Sequence, residues 1–120
     1  MKALFDTNIV IDALNGVTEA DAEYRRYESV LISIITWMEV LVGEQADDSA
    51  LRDFLATHFE IIPLEAAIAE TAVQIRRSHR LRLPDAIIWA TAQVHEATLV
   101  TRNTRDFNPD WEGIHLPYKL

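Results

Sequence analysis

Short apolar runs alternate with helix-patterned segments along nearly the whole chain, and this alternation constrains the fold more than any other feature. The runs "ALF" (3–5), "VLISII" (30–35), "FEII" (59–62), "TLV" (98–100) and "IHL" (114–116) are short and often β-branched. Those followed by a helix are bounded by Thr, Asp or Pro, so all five read as strands. Helical patterns occupy 7–15, 18–28, 36–44, 48–58, 65–79 and 84–96. Ala20, Tyr24 and Tyr27 recur at helical spacing, as do Leu51, Phe54, Leu55 and His58, and again Ile68, Ala72 and Ile75. In the last helix Ile88, Trp89 and Ala92 share a face with Asp85. Strands that alternate with helices imply crossovers and a mainly parallel sheet covered on both faces. The expected architecture is an α/β fold, a three-layer α/β/α sandwich with a central sheet of four to five short strands.

The chain has 120 residues, and a single domain spanning 1–120 is expected. Hydrophobic residues make up 49%, enough for a sizeable core. No apolar run approaches the ~20 residues of a membrane span. The opening "MKALFDTN" meets an Asp too early for a signal peptide, so the expected location is cytoplasmic. The absence of Cys excludes disulfides, thiol catalysis and zinc–thiolate sites.

A net charge of -8 argues against broad nonspecific binding of nucleic acid. Yet six of the 11 basic residues fall between 76 and 105: Arg76, Arg77, Arg80, Arg82, Arg102 and Arg105. An acidic protein with one basic zone can hold a polyanion there. Arg76 and Arg77 read instead as a solvated helix end, where cations are favoured.

In an open parallel sheet, ligands bind outside the carboxyl ends of the strands. The sequence puts acids at that edge. Asp6 ends the first strand in "LFDTN". Glu39 lies one turn into the next helix in "SIITWMEVLVG". Asp85 opens the late buried helix in "LPDAIIWA", and Asn103 and Asp106 follow the fourth strand in "LVTRNTRDF". Each has a local explanation. Asp6 can cap a helix. Thr36 and Glu39 make a T-x-x-E capping box. Pro84 at the first helical position with Asp85 beside it is a favourable helix start. Asp106 can stabilise a turn. Capping, however, does not require acids on several separate connections. Carboxylates gathered at one edge repel one another, at a cost that a cation relieves. With oxygen ligands only and no paired His, the suitable ion is Mg²⁺ or Mn²⁺.

Four ordered blocks then carry a resemblance over nearly the whole chain. They are "LFDTNIVIDAL", "SIITWMEVLVG", "LPDAIIWATAQVHEATLVTRNTRDF" and the α/β alternation between them. The chain resembles PIN domains, and among them the VapC-type ribonuclease toxins of toxin–antitoxin pairs. The resemblance implies a metal-dependent endoribonuclease that uses one or two Mg²⁺ or Mn²⁺ ions and leaves 5′-phosphate and 3′-hydroxyl ends. Its acidic cluster carries over to Asp6, Glu39 and Asp85. The fourth acid matches either position 103 or position 106. Here the first is Asn103, so Asp106 is the candidate acid and Asn103 a neutral ligand or water-orienting group. Asp12, nearly two turns into its helix, is expected to support the site from outside or to lie on the surface.

Thr7, Asn8, Ser33 and Thr101 are expected to orient carboxylates or waters. For Ser33 and Thr101 a hydroxyl bonded to nearby backbone serves equally well. Arg80, Arg82, Arg102 and Arg105 are the expected phosphate contacts. Single-stranded or loop RNA is the expected substrate, tRNA or ribosomal RNA among the candidates. His58, His79, His95 and His115 are scattered, which leaves a histidine acid–base mechanism poorly supported. The resemblance also implies a homodimer and a cognate antitoxin whose C-terminal segment lies across the groove. Trp37, Leu41, Tyr24 and Tyr27 either supply an apolar landing surface for it or fill the core. Phosphatases with an aspartate nucleophile need a second Asp where Asn8 stands. A phospho-accepting receiver domain needs an Asp after the third strand, which here runs into "IIPLE". The remaining alternative is a PIN-like binding module without catalysis, kept open by the change to Asn103.

Overall fold

The structure is a computed structural model in which residues 2–43 and 48–120 are described. Five parallel strands form one sheet in the order β3-β2-β1-β4-β5. They are β1 (Lys2–Phe5), β2 (Ser29–Ser33), β3 (Glu60–Ile62), β4 (Thr98–Val100) and β5 (Ile114–His115). Around the sheet run α1 (Thr7–Leu14), α2 (Thr18–Arg25), α3 (Ile34–Val42), α4 (Ser49–His58), α5 (Ala66–His79) and α6 (Leu83–Val94). The expected α/β architecture holds, with every strand pair parallel. The last residue of the helix expected over 36–44 lies outside the described residues. Among the described residues no helix is long and apolar enough to cross a membrane.

The two-residue period of the strands divides the core. Leu4, Leu31 and Leu99 face one side and pack with Ile68, Ala72 and Ile75 of α5 and with α6. Ala3, Phe5, Val30, Ile32 and Val100 face the other, against Ile9 and Val10 of α1, Val40 and Leu41 of α3, and Leu55 of α4. Phe5 is fully buried and meets the rings of Tyr24, Tyr27 and Phe59 at 6.2–6.4 Å between centroids. Helix α6 is buried from Ala86 to Ala92, as a helix apolar on all sides must be.

Two local readings are corrected. The run "VLISII" does not stay extended to residue 35. Ser33 turns its hydroxyl to the Ile35 amide at 3.0 Å and starts α3 at Ile34. Thr36 is therefore a buried residue inside the helix and makes no capping box with Glu39. A side-chain cap overrides the β-propensity of Ile34 and Ile35. In α6, Arg82 occupies the cap position without a side-chain bond, and Leu83 is the first helical residue. Pro84 is thus second and Asp85 third, inside the first turn. Asp85 complements the helix dipole but does not cap the helix.

The turn from α5 into α6 has its own support. Arg80 adopts a left-handed conformation (φ 58°), with its N–H on the Arg76 carbonyl at 3.3 Å. The Arg76 guanidinium donates to the Leu81 carbonyl at 2.9 Å. This turn delivers Arg82 and Asp85 to the carboxyl edge of the sheet.

Candidate active site

Strand succession runs from β1 outward to β3 and then restarts at β4 on the opposite side of β1. The switch point therefore lies between β1 and β4, where a doubly wound sheet opens a crevice at its carboxyl edge. Asp6 follows β1 and Thr101 follows β4. The β1–β4 pairing continues one residue further, from the Asp6 N–H to the Val100 carbonyl at 2.9 Å. The two residues meet directly, with the Thr101 hydroxyl donating to Asp6 Oδ2 at 2.7 Å.

Asp6 is 4% exposed. It caps α1, accepting the Thr7 amide at 2.7 Å on Oδ1. Asn8 Nδ2 approaches its Oδ2 at 3.2 Å. Burial raises the pKa of Asp6 above the ordinary carboxylate value, and the charge of Glu39 adds to this. The bonds from Thr101, Thr7 and Asn8 oppose the rise without cancelling it. Glu39 projects from α3, exposed, and accepts the Thr7 hydroxyl at 2.6 Å. Thr7 Oγ1 also lies 3.0 Å from Oγ1 of the buried Thr36. Thr7 thus joins α1 to α3 at the position where Glu39 emerges.

Asp85 carries the clearest electrostatic signature. Its pKa is pushed up to about 6, first by burial and then by the charges of Asp6, Asp106 and Glu39, with Arg82 pulling the other way. Four acids from four separate connections therefore act on one another. No described residue offers the Asp85 carboxylate a hydrogen bond that would offset this.

After β4 the chain closes a small reciprocal turn. The Asn103 amide N–H bonds Thr101 Oγ1 at 2.9 Å. Asn103 Nδ2 donates to Asp106 Oδ2 at 2.9 Å, and the Asp106 N–H donates back to Asn103 Oδ1 at 3.2 Å. Asn103 thereby presents Asp106 beside the other acids. Thr7, Asn8 and Thr101 each touch a carboxylate of the group, whereas Ser33 is turned to its own helix.

One residue does not stand where the sequence suggested. Arg102 is bound to Asp12 through Nε–Oδ2 at 2.6 Å and Nη2–Oδ1 at 2.9 Å. Of the two places expected for Asp12, outside the acids or on the surface, it takes the first and is buried. Their spacing, 90 residues apart in sequence, gave no sign of this pairing. Arg80, Arg82 and Arg105 are exposed. Thr36 also went unnoticed as a site neighbour, because the capping pattern gave it a different role. Leu41 is buried in the core; Trp37 is partly buried, with Arg52 over its ring at 5.1 Å. The histidines are occupied elsewhere: His58 against Phe54, His79 against Trp89 and Trp111, His95 with Glu65, and His115 near Glu23.

The donor chemistry of Asp6, Glu39, Asp85, Asp106 and Asn103 is all oxygen and suits a hard divalent cation. The mutual repulsion at Asp85 is what such a charge would relieve. Among the described residues, no three acidic or histidine side chains are placed to hold one ion directly. Three of the four carboxylates are turned toward protein donors instead: Asp6 to Thr101, Glu39 to Thr7 and Asp106 to Asn103.

Residues 3–108 match the family model of the PIN domain. The chain is 30% identical to Ribonuclease VapC10 of Mycobacterium tuberculosis, over 98% of this chain and 93% of that protein. Among solved structures it resembles a toxin-antitoxin complex from Klebsiella pneumoniae, with 45% identity, a TM-score of 0.88, and coverage of 98% and 99% of the two chains. It also resembles FitAcB from Neisseria gonorrhoeae, with 26% identity and a TM-score of 0.80 over the full length of both chains.

Proposed function

Because the chain belongs to the PIN domain family, we propose that it is a metal-dependent endoribonuclease, the toxin of a toxin–antitoxin pair. The observation that carries this reading is the shared field at Asp85, which feels Asp6, Asp106 and Glu39 together at the switch point of the sheet. The ribonuclease relative, 30% identical over nearly the whole chain, supports the activity.

Asp6, Glu39 and Asp85 would hold the ion, with Asp106 or Asn103 completing the set. When bound, one or two Mg²⁺ or Mn²⁺ ions supply an activated water and stabilise charge on the phosphoryl and leaving oxygens. The chain's own residues do the rest. Thr101 and Asn8 hold Asp6 in one orientation, and Thr7 holds Glu39 at the rim. Arg80, Arg82 and Arg105 are exposed, Arg82 acts on Asp85, and all three would contact substrate phosphates. They give an acidic protein a local path for RNA, and unstacked loops are the segments that reach such a crevice.

The 45% identical toxin-antitoxin complex supports a protein partner for this chain as well. A cleft lined mainly by Phe5, Ala13, Tyr24, Phe54 and Phe59, with Asp21 and His58 also in its wall, and the exposed Ile11, Leu14 and Met38 offer such a partner a surface. Assembly as a homodimer belongs to the same proposal.

The test is cleavage of a mixed tRNA and ribosomal RNA preparation by partner-free protein with Mg²⁺, Mn²⁺ or EDTA, beside Asp85→Asn. Discrete cuts that need metal and vanish in the variant support the nuclease. A folded protein that neither cuts RNA nor binds metal is the inactive binding module instead.

A further inference from the structure

Asp12 lies outside the acidic group, yet it is 6% exposed and fully engaged. Its carboxylate receives the Arg102 fork on both oxygens and the Tyr118 hydroxyl on Oδ2 at 2.8 Å. Burial alone would raise its pKa. The hydrogen bonds from Arg102 and Tyr118 and the Arg102 charge outweigh this and hold it below the usual carboxylate value. A buried ion pair contributes little net stability against a well-packed apolar alternative. A two-pronged guanidinium–carboxylate contact does impose direction.

That direction leads to the site. The Arg102 N–H donates to Asn8 Oδ1 at 3.1 Å. A carboxamide that accepts on Oδ1 must present its Nδ2 the other way. Here Nδ2 faces Asp6 Oδ2 at 3.2 Å and Thr101 Oγ1 at 3.4 Å. On the chain side, Arg102 stands between Thr101, which bonds Asp6, and Asn103, which bonds Asp106.

Building on the nuclease reading, we infer that Asp12, Arg102 and Tyr118 form a positioning unit for cleavage: they clamp residues 101–106 against α1 and, through Asn8, set Asp6 and the Asn103–Asp106 pair relative to each other. Arg102 acts through its neighbours and does not itself contact RNA phosphate. The two roles predict opposite behaviour at Asp12. If Arg102 served RNA, removing the Asp12 charge would free it and tighten RNA binding. If it positions, the same change slows cleavage and leaves affinity alone.

The experiment compares wild type with Asp12→Asn, Arg102→Lys and Tyr118→Phe. Single-turnover cleavage and RNA affinity are measured with saturating Mn²⁺, and amide hydrogen exchange of residues 101–106 without metal. The expected result is cleavage slowed by about 10- to 100-fold, RNA affinity within about twofold of wild type, and faster exchange in the segment. Tyr118→Phe removes one oxygen and carries the test if Asp12→Asn does not fold. Variants that cut at the wild-type rate with unchanged exchange overturn the positioning unit and leave the nuclease standing. Tighter RNA binding by Asp12→Asn at an unchanged rate also overturns it and returns Arg102 to the substrate. A wild type that cuts no RNA overturns the nuclease reading and this inference with it.

Discussion

The Thr101 hydroxyl bonds the Asp6 carboxylate at 2.7 Å across the point where the sheet reverses its strand order. Both residues are buried, and they lie 95 positions apart in the chain. Thr101→Val keeps the shape and removes this donor from a buried acid. Loss of a hydrogen bond to a charged group costs roughly 1.5–3 kcal/mol. The variant is expected to lose about that much unfolding free energy in urea titrations at pH 7.5 and to cleave more slowly. Equal unfolding midpoints and rates would deny Thr101 its part in holding Asp6.

Asp85 is expected to trade stability against function. Its folded pKa of about 6 stands above the ordinary 3.8 because burial and three like charges disfavour ionisation. Stability linked to this group is therefore full while it is protonated in both states, below about 3.8, and is lost as pH rises through about 6. At neutral pH, Asp85→Asn removes the repelled charge and should stabilise the metal-free protein by about 1 kcal/mol, after discounting for solvent around a half-buried group. Thermal melts at pH 7.5 and pH 4 read the effect: the gain shrinks at the lower pH. A variant less stable than wild type at pH 7.5 would contradict the repulsion.

Cleavage should follow the same ionisation in the opposite sense. With limiting metal, the ionised fraction of a group titrating near 6 falls about tenfold from pH 7 to pH 5, and the rate should fall with it. Excess Mn²⁺ competes with protons and moves the inflection down. A rate flat across this range at low metal would remove Asp85 from the metal-binding set.

Metal should be visible without any substrate. An ion that binds only the folded state, present at a hundred times its dissociation constant, stabilises by about 2.7 kcal/mol. Mn²⁺ is expected to raise the melting temperature of wild type and EDTA to reverse it, with no rise for Asp6→Asn. The same rise in Asp6→Asn would place the ion elsewhere.

The exposed arginines should govern RNA affinity through salt. Replacing Arg80, Arg82 and Arg105 together with Gln should weaken binding and reduce the magnitude of the log–log salt slope by roughly two, given about 0.7 per phosphate contact on single strands. Affinity and slope equal to wild type would show that RNA runs along another face.

How far the chain could be read in advance differs between fold and site. Short apolar runs such as "ALF" and "TLV" and the helical face of Ile68, Ala72 and Ile75 are local patterns, so strands and helices were legible to within a few residues. The carboxyl-edge positions of Asp6, Glu39, Asp85 and Asp106 could be expected too, because each lies in the segment after a strand or in the first turn of a helix. Boundaries at Ser33 and Arg82 were not, since a side-chain cap and a main-chain turn decided them.

The sequence by itself determined the order of elements, the oxygen-only chemistry of the acids and the side of the sheet where they gather. Those properties depend on residue type and short-range spacing. Only the tertiary structure decided that Asp6 meets Thr101, that Thr7 reaches Glu39, and that Arg102 turns to Asp12 and Tyr118. Pairing between residues 32 to 106 positions apart depends on which strands lie side by side and where each side chain finds its partner under burial. No local pattern encodes that choice.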